Sequence, residues 1–276
     1  MTSSTHPVTA ADGTRLVVRR WRTSSPAWAS VLLVHGIAEH SGRYEHVGER
    51  LAAAGLDVQA YDLRGFGASG GHRAYVDRWE QHHTDLGERL RAARSEAAGR
   101  PVVLYGHSLG GLIALGYVLT NRPKPDLLVL CAPAIAATIP DWKRTMARVL
   151  GRVAPRTRIP NDFEGSALSR DPGVGERYLQ DHLNEHATTT RFGAEALAEQ
   201  ARVQANLVRL ALPTLVIHGA DDPLVPRAAS EPLGRIAGVT RREYPDLRHE
   251  LHNEPEGPAI IDDVIEWVRG RLAPRA

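Results

Sequence analysis

Gly106-His107-Ser108-Leu109-Gly110 follows the apolar run Val102-Val103-Leu104-Tyr105 and opens a small-residue, helix-forming run from Gly111 to Leu119. A strand, a sharp turn carrying a serine and then a helix make a nucleophile elbow. Such a turn brings the strand and helix backbones together, and a Cβ at position 106 or 110 would collide. The serine is held strained, with its Oγ exposed and the neighbouring N–H groups at a helix N-terminus. The bare Gly-x-Ser-x-Gly pattern is weak, since chance supplies it in about one chain in ten of this length. A strand before it and a helix after it strengthen it, and a suitable acid and histidine downstream decide it.

A serine hydroxyl needs a base to take its proton, and the base needs a third group to fix its tautomer and stabilise its charged form. On a strand–elbow–helix scaffold the chain order is serine, acid, histidine. The strand-like run 214–218 leads into Gly219-Ala220-Asp221-Asp222-Pro223-Leu224-Val225, which offers two acids. Asp222 is favoured, because the spacing lets Val225 anchor the next helix while Asp222 points into the cleft; a helix N-cap is the role left to Asp221. The histidine is His249, in Tyr244-Pro245-Asp246-Leu247-Arg248-His249-Glu250, placed after the last strand and before the last helix. The chain has 13 histidines, so order and position carry this choice, and His252 is the competitor. His249-Glu250-Leu251-His252 is one residue short of the His-Glu-x-x-His zinc motif, so a metalloprotease does not fit and no metal is expected. Two N–H donors for a developing oxyanion are expected from Leu109, the residue after the nucleophile, and from Ile37, in the loop after the strand 29–35.

The rest of the chain supplies the scaffold. Strands are predicted at 14–21, 29–35, 56–61, 102–105, 127–131, 214–218 and 239–244, and helices at 43–54, 77–98 and 257–272. Residues 1–7 read as frayed, and Asp12-Gly13 as a hairpin turn. Alternating strands and helices mean a mostly parallel sheet flanked by helices on both faces. The alternation breaks near residue 135 and resumes at 212, with no convincing strand between and helical pieces at 141–152, 173–183 and 194–210. This divides the chain into a core of residues 1–136 and 212–276 and a helical lid, 137–211, over the C-terminal strand edge where ligands bind.

Composition excludes several classes. A net charge of +2, with no basic cluster interleaved with aromatics, speaks against nucleic acid. The single cysteine, Cys131, allows no internal disulfide, and inert packing is its expected role. No secretory h-region and no membrane-length apolar stretch are visible, so a cytoplasmic protein is expected, at most peripheral at a membrane. Asp62 and Arg64, in Asp62-Leu63-Arg64-Gly65-Phe66-Gly67-Ala68-Ser69, read as loop braces through charged hydrogen bonds; His82 and His83 read as surface residues of a long helix.

The chain resembles the monoacylglycerol lipase and lysophospholipase branch of the α/β-hydrolases. The matching pieces are His35-Gly36-Ile37-Ala38-Glu39-His40-Ser41-Gly42-Arg43-Tyr44, the 62–69 segment, Gly106 to Gly111, Gly219 to Pro226 and His249 to Pro255. Glu39 to Tyr44 discriminates most, because general esterases of this fold usually lack it. The resemblance implies an α/β-hydrolase fold with a lid, and a Ser108, Asp222 and His249 triad with Ile37 and Leu109 as oxyanion donors. It places Glu39, Arg43 and His252 at the polar end that handles the glycerol head or its exit. Ala38 stands where the family often has glycine; both are small, and little is expected to depend on it. The implied reaction is hydrolysis of a monoacylglycerol, a small lipid ester, through an acyl-enzyme, with no cofactor. A lysophospholipase or short-chain carboxylesterase is the alternative within the class, and a catalytically inactive binding protein of the same fold the alternative outside it.

In the lid, Trp142, Met146, Val149, Leu150 and Val153 fall at i, i+4, i+7, i+8 and i+11, with Lys143, Arg144, Arg148 and Arg152 on the other face. One expectation is that the apolar stripe roofs the active-site pocket. The other is that it dips into a lipid interface with a cationic rim. Acyl-chain length, regiochemistry and oligomeric state are not written in these motifs.

Overall fold

The computed structural model describes residues 3–136, 140–161 and 164–273. Strands β1 (Ser4–Thr9), β2 (Arg15–Trp21), β3 (Ala29–Val34), β4 (Leu56–Tyr61), β5 (Val102–His107), β6 (Leu127–Cys131), β9 (Thr214–Gly219) and β10 (Val239–Tyr244) form one sheet in the order β1-β2-β4-β3-β5-β6-β9-β10. Pairing is parallel from β4 to β10, and β2 is antiparallel to both of its neighbours. The central strands are continuous Val, Leu and Ile runs because helices cover both faces. Helices α1 (Glu45–Ala53) and α7 (Gly257–Leu272) bury Val47, Leu51, Ile261 and Trp267 on one face. Helices α2 (Glu80–Ala97) and α3 (Leu109–Val118) bury Leu86, Leu90, Leu112 and Ile113 on the other.

The N-terminal residues depart from the frayed expectation. Residues 4–7 belong to β1, in register with β2 from Ser4 opposite Arg20 to Thr9 opposite Arg15. An edge strand needs a backbone partner and little apolar content, and Pro7 is tolerated there. Residues 1–2 lie outside the described set. Asp12-Gly13 does turn the chain, with Gly13 at φ 84 and the Thr14 N–H donating to Asp12 Oδ1.

Between β6 and β9 the chain leaves the sheet. It forms α4 (Asp141–Val153), α5 (Pro172–Gln180) and α6 (Thr190–Asn206), with two short antiparallel strands, β7 (Arg158–Pro160) and β8 (Ala187–Thr189), that the sequence did not signal. Residue 137, where the lid was expected to begin, lies outside the described residues. Helix α6 packs against the core beside α2, which buries His82 against Phe192 and brings His83 Nε2 to 3.2 Å from Glu199. The surface expectation for both histidines fails there, because a helix cannot announce which distant element will cover it. The brace residues hold loops: Asp62 accepts from the Ser41 N–H and hydroxyl and from the Ala68 N–H, and Arg64 pairs with Asp85 and Asp12.

Candidate active site

The elbow begins with β5, which continues to His107. Ser108 sits at φ 51 and ψ −115, and α3 starts at Leu109. Left-handed backbone at a residue with a Cβ is strained, and the packing around it must hold it. The glycines permit that packing. A Cβ on Gly106 would come within 2.5 Å of the Gly110 carbonyl oxygen, and one on Gly110 would overlap the Val34 carbonyl. The Ser108 N–H donates to the Cys131 carbonyl, which ties the turn to β6.

Ser108, Asp222 and His249 come together from three separate loops. The Ser108 hydroxyl lies 2.9 Å from His249 Nε2, and His249 Nδ1 lies 2.7 Å from Asp222 Oδ2. An ionised Asp222 can only accept, so Nδ1 carries the proton and Nε2 presents its lone pair to the serine. All three are buried. Burial by itself would lower the His249 pKa, but Asp222, with Glu250 and Glu39 further off, outweighs it and holds the pKa above the ordinary value. Burial would raise the Asp222 pKa; His249, the nearby His218 ring and the Val225 N–H prevail and hold its carboxyl well below the usual range.

The expected division of labour between the two aspartates was too simple. The helix expected at Val225 does not start there, the next helical turn being Arg227–Ala229 behind Pro226, and Asp222 instead closes a turn, its Oδ1 accepting from the Leu224 and Val225 N–H groups at 2.8 and 2.9 Å. Asp221 is exposed and is tied through its backbone N–H to the Leu247 carbonyl. His218, which the motif reading missed, donates from Nε2 to the Val225 carbonyl and stands 3.3 Å from Asp222 Oδ2. It braces the acid from the strand side.

Ile37 follows Gly36 in the loop after β3, and Leu109 opens α3. Among the described residues the N–H groups of both lack a protein acceptor, the condition an oxyanion hole requires. Glu39 fixes the Ile37 turn: its Oε1 accepts from the Gly36 N–H at 2.5 Å and the Tyr44 hydroxyl at 2.7 Å. Ala38 is not the neutral replacement expected. It sits at φ 62, where glycine is unstrained, and its carbonyl is clamped by the Tyr178 hydroxyl and the Glu185 N–H from the insertion. The insertion thus holds the loop that carries Ile37.

A cavity of about 170 Å³ opens on Ser108, with Ile37, Leu168, Tyr178, Leu224 and Val225 among its walls. Of the three head-group candidates only Glu39 lines it. Arg43 is drawn behind the wall by Glu39 and Glu250, and faces a separate outer hollow with His46 and Arg177. His252 is buried behind His107, with ring centroids 5.0 Å apart, and stacks on Tyr44 at 4.7 Å. Glu250, which the sequence reading passed over, does line the cavity; its signal was a second carboxylate beside the histidine.

The α4 stripe does not roof the cavity. Trp142, Met146, Val149 and Val153 are 63 %, 47 %, 52 % and 73 % exposed, and Leu150 is half-buried. The helix turns its small-residue side inward instead. Gly151 is buried against α6, where an added Cβ would meet the Ala194 Cβ at 2.7 Å.

The geometry can therefore bring the Ser108 Oγ, its proton taken by His249, to a carbonyl in a largely apolar cavity and offer two N–H groups to the charge that results. The family model for "serine aminopeptidase, S33" matches residues 25–256. A monoacylglycerol lipase of Mycolicibacterium smegmatis is 35 % identical over 98 % of this chain and 99 % of its own length. The human monoglyceride lipase is 31 % identical over 95 % of this chain and 89 % of its own. The crystal structure of Paleococcus ferrophilus monoacylglycerol lipase superposes with a TM-score of 0.82 at 30 % identity, covering 93 % of this chain and 99 % of that one.

Proposed function

Because this chain belongs to the serine aminopeptidase S33 family and, within the α/β-hydrolases, to the monoacylglycerol lipase branch, we propose that Ser108 is the nucleophile of a hydrolase that cleaves monoacylglycerols to a fatty acid and glycerol. The observation that carries this reading is the unbroken Asp222–His249–Ser108 hydrogen-bond chain beneath a largely apolar cavity. Ser108 Oγ attacks the ester carbonyl while its proton passes to His249 Nε2. The Ile37 and Leu109 N–H groups receive the oxyanion. When the intermediate collapses, the acyl–oxygen bond breaks and His249 returns the proton to the departing glycerol oxygen. Water, deprotonated by the same nitrogen, then releases the fatty acid. Burying the acyl chain along Leu168, Leu224 and Val225 is worth roughly 0.8 kcal/mol per methylene.

Initial rates on 1-oleoylglycerol, the matching lysophosphatidylcholine and p-nitrophenyl butyrate test the substrate class. The expected order places the monoacylglycerol first. Turnover of p-nitrophenyl butyrate with none of the monoacylglycerol would replace this reading with a short-chain esterase.

Among the described residues no helix is long and apolar enough to cross a membrane. The exposed α4 stripe supports attachment to a lipid surface instead. Trp142, Met146, Val149 and Val153 would enter the interface, and Lys143, Arg148 and Arg152 would meet anionic head groups. Cosedimentation with phosphatidylglycerol vesicles checks this. The double variant Trp142→Asp, Met146→Asp is expected to weaken binding at least tenfold, since each lost side chain forfeits roughly 1.5–3 kcal/mol of burial. Its hydrolysis of dissolved p-nitrophenyl butyrate should match the wild type. Equal vesicle binding by both proteins would exclude α4 as the contact.

A further inference from the structure

The wall of the cavity at Ser108 includes two carboxylates, Glu39 and Glu250, and no lysine or arginine among the described residues. Each is only 2 % exposed. One cation stands behind them. Arg43 donates from Nη1 to Glu39 Oε2 at 2.7 Å, and from Nη1 and Nη2 to the two Glu250 oxygens at 2.6 and 2.8 Å. Two carboxylates against one guanidinium leave one negative charge uncompensated beside the reacting serine. Arg43 is not free to turn toward a ligand, since it is held by both acids and lies over the Tyr178 ring, 5.0 Å from its centroid. Glu39 is also part of the oxyanion turn through the Gly36 N–H. Among the described residues the Glu250 carboxylate takes side-chain donors only, from Arg43 and from Asn253 Nδ2 at 2.7 Å, which leaves its charge separable from the backbone of the site.

We propose that Glu250 sets head-group selectivity by charge: with Glu39 it makes the polar end of the cavity repel anionic head groups, so neutral glycerol esters are accepted and their phosphorylated counterparts refused. This rests on the monoacylglycerol reading and adds to it the residue that enforces the choice. A like charge a few ångströms away in a partly desolvated site disfavours an anion on the order of tenfold or more per charge. The same field reaches the base. Asp222, Glu250 and Glu39 face His249 and support its protonated form against burial. The His107 ring, 4.9 Å away, is kept neutral by burial and by His249, with its pKa pushed down to about 3.

The test compares 1-octanoylglycerol with 1-octanoylglycerol 3-phosphate, both short enough to stay dissolved, on the wild type, Glu250→Gln and Glu250→Asp. Labelling of Ser108 by a fluorophosphonate verifies a folded site in each. The wild type should favour the neutral ester about a hundredfold in kcat/KM. Glu250→Gln should narrow that ratio about tenfold and move the acid limb of the pH profile to lower pH, because neutral His249 then persists further into acid. Glu250→Asp keeps the charge and should keep both ratio and limb, which a purely structural role would not allow. An unchanged ratio in Glu250→Gln, or a wild type indifferent to the phosphate, overturns the proposal; the second needs no variant. Turnover of neither glycerol ester, with p-nitrophenyl butyrate still hydrolysed, overturns the monoacylglycerol reading and this proposal with it.

Discussion

Ser108→Ala lowers monoacylglycerol turnover by about 10⁵-fold or more and leaves the melting temperature within about 2 °C of the wild type. The two halves of this expectation have separate causes. Among the described residues the Oγ–H has one partner, His249 Nε2, so its removal takes away the nucleophile and leaves the imidazole with nothing to deprotonate. The turn is held by backbone groups: the Ser108 N–H donates to Cys131, and its carbonyl accepts from Leu112 and Ala134. Alanine carries the same Cβ into the left-handed region, so the strain at φ 51 is unchanged. Initial rates and a thermal melt on the same preparation check both. A residual rate within tenfold of the wild type would place the nucleophile elsewhere.

Asp222→Asn is expected to reduce kcat by about 10⁴-fold, a loss out of proportion to replacing one oxygen by nitrogen. The reason is local. The Leu224 and Val225 N–H groups both donate to Oδ1, so an asparagine here must keep its carbonyl oxygen at that end. Its NH2 then faces His249 Nδ1. A donor facing Nδ1 forces the proton onto Nε2, the nitrogen that must accept from Ser108, and the base is blocked. The pH profile carries a second signature. His249 works as a base only when neutral, so activity falls as pH drops through its pKa. With the carboxylate gone, the raised pKa of His249 drops. The acid limb therefore moves to lower pH while the plateau collapses. A fixed acid limb with a modest loss of kcat would mean that Asp222 serves the turn at 224–225 and not the histidine.

The parts of the site legible in the sequence were those written as short local motifs with a steric or chemical cause. The elbow glycines, the aspartate three residues past a strand end and the histidine after the last strand each declare themselves within a handful of residues. What stayed hidden depends on which distant surface meets which. The α4 pattern shows that Trp142, Met146, Val149 and Val153 share a face; it cannot show that Gly151 and Ala194 turn that face outward. His82 and His83 looked like ordinary polar helix positions until α6 covered them. Residues 4–7 lacked apolar content because an edge strand is held through its backbone. Glu250 pairs with Arg43 across 207 residues of chain, and no spacing rule reaches so far. Ala38 was judged by size, whereas its backbone angle was what mattered.

A nucleophilic Ser108 requires a covalent acyl-enzyme. Acid-quenching the enzyme during steady turnover of 1-oleoylglycerol, followed by digestion and mass spectrometry, should yield the peptide spanning Gly106 to Gly110 with an oleoyl ester on Ser108, and Ser108→Ala should yield none. Turnover with no acylated peptide at any quench time, or an acyl group on a different residue, would contradict it.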